Sequence, residues 1–118
     1  MSDPDKSFLK KTIELATQSV SHGGGPFAAI VVKNNEIIGK GNNQVTLNND
    51  PSAHAEIMAI RNACKTLQKF TLEDCTLYSS CEPCPMCMAA IYWARLDKVF
   101  FACTQQDAAK AGFNDAFI

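Results

Sequence analysis

Four side chains suited to binding a metal or moving a proton fall in two short stretches of this chain. His54 and Glu56 sit in AHAE, and Cys84 and Cys87 sit in PCPMC about thirty residues later. If one ion takes ligands from both stretches, the fold must bring the start of two separate helices to one point. Cys84 and Cys87 are three residues apart at a helix start, so both can face the same ion. The positive end of a helix also favours thiolates over thiols. Two thiolates and one neutral imidazole balance the charge of Zn²⁺ and match its preference for sulfur and nitrogen.

The stretch SCEPCPMCM contains a third cysteine, Cys81, and so leaves two alternatives. In the first, His54, Cys81, Cys84 and Cys87 form a closed Cys₃His staple and Glu56 is a solvated acid. In the second, His54, Cys84 and Cys87 hold one zinc per chain, and the fourth position is left for water. The second is favoured for three reasons. Cys81 is at a strand end, and Glu82 before Pro83 is extended, so Cys81 need not share a face with the helical pair. With 47% hydrophobic residues, the chain does not need a metal staple as a very short one does. The closed site also leaves Glu56 without a task. One difficulty stands: positions two apart on a regular helix point to opposite sides. His54 and Glu56 therefore converge only if the helix N-terminus itself points at the site.

Periodicity supplies the surrounding elements. Phe8, Leu9, Thr12, Ile13, Ala16 and Val20 predict an amphipathic helix over 7–21, broken by Gly23, Gly24, Gly25 and Pro26. Strands are expected over 27–33 and 36–43, joined at Asn34-Asn35, a dipeptide that tolerates the positive φ of a hairpin. Residues 44–50 read as polar loop. Asp50-Pro51-Ser52 reads as a helix start, with Ile57, Met58, Ile60, Ala63, Cys64 and Leu67 as its buried stripe. A strand over 75–81, a helix over 86–95, an apolar strand over 99–102 and a short helix over 105–110 follow. Strands alternating with helices after a hairpin predict an α/β domain, a mixed sheet covered by helices. Cys64, Cys75 and Cys103 read as small buried apolar residues, and His22 as a loop histidine.

The remaining properties exclude other classes. Eleven basic and twelve acidic residues give a net charge of −1, which argues against a nucleic-acid binder that depends on phosphate neutralisation. The longest apolar runs, such as FAAIVV, are far shorter than the roughly 20 residues of a membrane span. No signal-peptide h-region is visible at the N-terminus, so six cysteines suggest a reducing, cytoplasmic setting.

The pattern H-x-E…P-C-x-x-C is that of zinc-dependent base deaminases. With NDPSAHAEIMAIRNAC, LYSSCEPCPMCMAAIYWAR and DAAKAGFNDAFI, the chain resembles the cytidine deaminase-like superfamily along most of its length, from GGGPFAAIVVKN onward. Within the superfamily, AIYWAR and AGFNDAFI are most similar to bacterial guanine deaminases. tRNA adenosine deaminases share AHAEIMA but usually carry LEPCxMC and a basic surface, and they are the alternative. Small cytosine deaminases share the ligands but not AIYWAR.

The resemblance implies a three-layer cytidine deaminase-like fold, with helices on both faces of the mixed sheet. It implies hydrolysis of a nucleobase amine, guanine to xanthine and ammonia, with zinc on His54, Cys84 and Cys87 and Glu56 as proton carrier. It further implies that Asn43 and the N–H of Ala55 hold the base, and that Phe27 and Trp93 line it. Phe113 would close over the base, and Asp115 would contact the purine edge and relay protons. Family members usually continue past AGFNDAFI by a strand and helices. The expectation is thus a single domain over 1–118 without that tail, assembling as a homodimer.

Overall fold

The computed structural model describes residues 1–104, 106 and 107. Ser2 starts the first helix: its hydroxyl accepts the Asp5 N–H at 3.2 Å, and the Asp5 carboxylate accepts the Ser2 N–H at 3.3 Å. This reciprocal capping box begins α1 (Asp3–Ser21) before the apolar stripe does, so the helix starts earlier than periodicity suggested. Strands β1 (Gly25–Lys33) and β2 (Glu36–Asn43) follow. As expected, Asn34 and Asn35 take positive φ of 51° and 62° at the hairpin turn.

Residues 44–50 are not all loop. Val45–Asn48 form a single-turn helix, α2, ended by Asn49 in the left-handed conformation. Its first amide is held by Asn43, whose Oδ1 accepts the Val45 N–H at 3.1 Å. Asp50-Pro51-Ser52 is likewise not the helix start. Asp50 Oδ1 accepts both the N–H and the hydroxyl of Ser52, at 2.9 and 2.7 Å, in an Asx turn. Helix α3 begins only at Ala55 and runs Ala55–Leu67. Then come β3 (Thr76–Cys81), α4 (Pro85–Ala94) and β4 (Lys98–Cys103). Most of the helix expected over 105–110 lies outside the described residues.

The sheet order is β2-β1-β3-β4, with β1 antiparallel to both neighbours and β3 parallel to β4. The parallel pair needs a crossover, and α4 supplies it. Alternation along β1 sends Ile30 and Val32 toward α1, where they pack with Leu9 and Tyr78. Ala29 and Val31 go the other way, into the larger core with α3 and α4. The result is three layers, α1 on one face and α3 with α4 on the other, an α/β domain as the sequence predicted.

Two glycines set the depth at which α3 lies on the sheet. A Cβ on Gly41 would stand 2.2 Å from the Ala55 carbonyl oxygen and 2.3 Å from the Ala59 nitrogen. One on Gly39 would stand 2.6 Å from both the Ala59 oxygen and the Ala63 nitrogen. Facing them, Ala55, Ala59 and Ala63 form the fully buried stripe, one residue per turn. Ile60, Cys64 and Leu67 pack at its margin, and Ile57 and Met58 are only half-buried. Because the colliding atoms are backbone, a side chain cannot rotate to make room. Gly41→Ala is therefore expected to cost more than the usual overpacking penalty of about 1–3 kcal/mol, read as a lowered urea midpoint or as failure to fold.

On the other face, Tyr78 stacks between Phe8 and Phe100, with ring centroids 5.2 and 5.4 Å away, and its hydroxyl donates to Asp5. Burial, then the Asp5 carboxylate, raises the Tyr78 hydroxyl above its ordinary value of 10.0. The Tyr78 and Ser2 hydroxyls hold Asp5 below its ordinary 3.8. The raised Tyr78 group contributes stability that is full below pH 10 and is lost as pH rises beyond it. The lowered Asp5 group contributes above pH 3.8 and loses its contribution as pH falls. In Tyr78→Phe the thermal midpoint is expected to be lower near neutrality and its alkaline decline above pH 10 to be shallower, measured by a pH series of melts.

Candidate metal centre and adjoining cleft

His54 and Cys84 occupy equivalent places on two helices. Each is the residue just before the first helical turn, with extended backbone (φ −67°, ψ 157° and φ −70°, ψ 171°), and neither side chain caps its own helix. An N-cap residue usually turns its side chain back on the first amides; these two turn theirs toward each other. Pro85, at the first helical position of α4, needs no N–H acceptor and fixes where that helix starts. Cys87 follows in the first turn and is fully buried. Two helix N-termini thus meet at one point, and their positive ends favour negative charge there.

The His54 Nδ1 stands 3.5 Å from the Cys84 Sγ and 3.5 Å from the Cys87 Sγ. The three donor atoms lie within 4.8 Å of one another, and among the described residues these three side chains are the group that can share an ion. A tetrahedral zinc site with Zn–S of about 2.3 Å and Zn–N of about 2.0 Å has an N···S edge of about 3.5 Å. The observed spacing is therefore that of zinc ligands. Burial, then the nearby Glu56 and Cys84, pushes the Cys87 thiol well above its ordinary range. A bound cation reverses that logic, because a coordinating thiol is deprotonated. Donor types, spacing and charge all fit zinc.

Cys81 is outside this group. Its thiol contacts the Thr104 carbonyl at 3.5 Å and the side chain of Cys103. The closed Cys₃His arrangement is not the one the fold builds.

Glu56 is in the first turn of α3, 7% exposed, with its carboxylate against the Cys87 thiol. The difficulty of two residues on opposite sides is resolved here. His54 precedes the helix, so its direction is set by extended backbone and not by the 100° step.

Beside the three donors opens a cleft of about 260 Å³, lined by Phe27, Asn43, His54, Ala55 and Glu56 among others. Asn43 comes from the end of β2, and its Oδ1 is committed to Val45, which leaves its NH₂ as a donor. Ala55 is the first residue of α3, where amides lack intrahelical acceptors. Phe27 is half-buried on β1.

Trp93 is not brought to this cleft, contrary to expectation. It is 70% exposed on α4, edge-on to Tyr92 at 6.0 Å and beneath the Arg95 guanidinium at 5.8 Å. Phe113 and Asp115 lie outside the described residues. Conversely, Val45, Thr46, Ser79 and Glu82 line the cleft without having been singled out from the sequence. Ser79 had a usable signal: it alternates with Leu77 and Cys81 on β3, so it faces the same side as the α3 core. Thr46 had none, since a single helical turn leaves no periodicity.

Residues 2–103 match the family model of the cytidine and deoxycytidylate deaminase zinc-binding region. The chain is 57% identical over 114 residues to guanine deaminase of Bacillus subtilis strain 168, covering 96% of this chain and 73% of that protein. It is 46% identical over 110 residues to a tRNA-specific adenosine deaminase of Buchnera aphidicola subsp. Baizongia pistaciae, covering 93% of this chain and 68% of that one. The crystal structure of Bacillus subtilis guanine deaminase superposes with a TM-score of 0.94 at 55% identity, covering 99% of this chain and 74% of that structure.

Proposed function

Because the chain belongs to the cytidine and deoxycytidylate deaminase zinc-binding family, we propose that it deaminates guanine to xanthine and ammonia in the cleft beside His54, Cys84 and Cys87. The observation that carries the reading is that His54 and Glu56 line one cleft while the His54 Nδ1 meets the Cys84 and Cys87 thiols, with Cys81 outside that donor group. The choice of guanine rests on the 57% identity to a guanine deaminase.

His54, Cys84 and Cys87 would hold the zinc, which would supply a water of lowered pKa as nucleophile near neutral pH. Glu56 takes a proton from the water as it adds to C2 of the base. It delivers that proton to a ring nitrogen, and the second proton of the water goes to the leaving amino group. Water and guanine are thereby converted to xanthine and ammonia, with no other reactant. The Asn43 NH₂ donates to the base, as does the Ala55 N–H, and Phe27 covers the ring. Phe113 and Asp115 keep the roles the resemblance gives them, closing over the base and contacting its edge.

A cleft of about 260 Å³ is below the usual range for drug-sized ligands and suits one base better than a nucleotide stem. The net charge of −1 also speaks against an RNA substrate. All six thiols are free, in keeping with a cytoplasmic setting. Tyr92, Trp93 and Met88 leave α4 with an exposed apolar surface, which supports a homodimer formed by a single-domain chain.

The test is ammonia release by the zinc-loaded protein from guanine, adenine, cytosine and a tRNA anticodon stem-loop. Turnover of guanine above the others is expected. Turnover of adenosine in the stem-loop, with guanine untouched, would move the activity to tRNA editing.

A further inference from the structure

Two thiols outside the zinc centre are placed as a pair. Cys81 ends β3 and Cys103 ends β4, and the two are direct partners in the parallel register. Adjacent strands lie about 4.8 Å apart, within the roughly 4.4–6.8 Å Cα separation a disulfide takes. Side chains at paired positions leave the same face of the sheet, and the two thiols are close enough to influence each other. The backbone at this point is also tied, with the Glu82 N–H donating to the Cys103 carbonyl at 2.7 Å. Both are free thiols.

Access is unequal. Both line an apolar groove of about 690 Å³ between α1 and the sheet end, with Ile13, Val20 and Ala102. Cys103 is half-exposed there, not buried as the sequence suggested, while Cys81 is 7% exposed behind it. Cys81 also forms part of the wall of the Glu56 cleft. Cys103 is the more exposed of the two, and burial, then the contact with Cys103, pushes the Cys81 thiol up to about 12; first attack on an oxidant therefore falls to Cys103.

We propose that Cys81 and Cys103 form a redox-responsive dithiol, closed to an intramolecular disulfide by a peroxide while Cys84 and Cys87 remain on the metal. The Cys103 sulfur attacks one oxygen of hydrogen peroxide, the O–O bond breaks, and water leaves as Cys103 becomes a sulfenic acid. The Cys81 sulfur then attacks the Cys103 sulfur; the S–S bond forms, the S–O bond breaks, and a second water leaves. Two thiols lose two electrons and two protons, and one peroxide becomes two waters. A pair held in contact by strand register closes without backbone movement, and a thiol reductant reopens it. The bridge would enclose α4, with Cys84 and Cys87, in a covalent loop whose ends are already hydrogen-bonded.

The experiment treats the zinc-loaded full chain with hydrogen peroxide and follows free thiols, bound zinc and non-reducing peptide maps in parallel. The expected result is a Cys81–Cys103 linked peptide, loss of two thiols per chain, retained zinc, and recovery with dithiothreitol. In Cys103→Ala the link disappears and Cys81 stays reduced at the same exposure. Differential alkylation of the unmodified protein reports the same point without a variant, with Cys103 labelling before Cys81 and both protected after oxidation. A Cys84–Cys87 link with zinc release, a disulfide between chains through Cys103, or equal thiol loss in Cys103→Ala would each overturn the proposal.

Discussion

Glu56→Ala is expected to lower guanine turnover by roughly 10²–10⁴-fold, the usual contribution of a positioned proton carrier, while the protein keeps one zinc per chain. The separation of the two effects follows from position. Glu56 is in the first turn of α3, against the Cys87 thiol, but the three donor atoms that can share an ion come from His54, Cys84 and Cys87. Removing the carboxylate leaves that donor set complete. Loss of an interaction made only as the water adds should lower kcat and kcat/KM equally. Glu56→Gln keeps the shape and removes the proton exchange, so it should resemble Glu56→Ala in rate while retaining the packing of a buried side chain. Ammonia release and metal content on the same samples decide the matter. Zinc loss matching the rate loss would make Glu56 part of the metal site, and unchanged turnover would remove it from the chemistry.

The ligand set was legible in the sequence because zinc chemistry demands particular residue types, and AHAE and PCPMC supply them at helix starts. What could not be read was how His54 and Glu56 converge. The cap signals Asp50, Pro51 and Ser52 drew the expected helix start upstream, and the fold spends them on an Asx turn. Only the later start at Ala55 leaves His54 extended and Glu56 in the first turn. The Gly39 and Gly41 contacts, which bring the start of α3 over the end of β2 and so place Asn43 beside His54, are also non-local. Trp93 lies off the cleft for a different reason. The segment PMCMAAIYWA is apolar all round, so periodicity cannot choose a face, and α4 leaves both Tyr92 and Trp93 exposed. The Cys81–Cys103 contact depends on parallel register between strands separated by a helix, which no local pattern encodes.

Cys84→Ser is expected to weaken zinc binding by more than about 100-fold, since changes merely to groups supporting a ligand already cost 10–100-fold, whereas Cys81→Ser should stay within a few-fold of the parent. Serine keeps the size of cysteine but not the soft thiolate that Zn²⁺ prefers. At position 84 the loss removes one of three donors whose 3.5 Å spacing to His54 fits the metal. At position 81 the side chain contacts the Thr104 carbonyl and Cys103, and a hydroxyl can donate to that carbonyl in place of the thiol. Stability should divide the same way, because metal binding free energy is available to the folded state alone. With zinc present, Cys84→Ser should melt well below the parent, and a strong chelator should bring the parent down toward it. Cys81→Ser should follow the parent in both conditions. Chelator competition with a chromogenic zinc dye ranks the three proteins directly. Equal losses at positions 81 and 84 would mean a closed four-ligand site; the separation expected here would limit the donor set to His54, Cys84 and Cys87, beside Glu56 and the cleft.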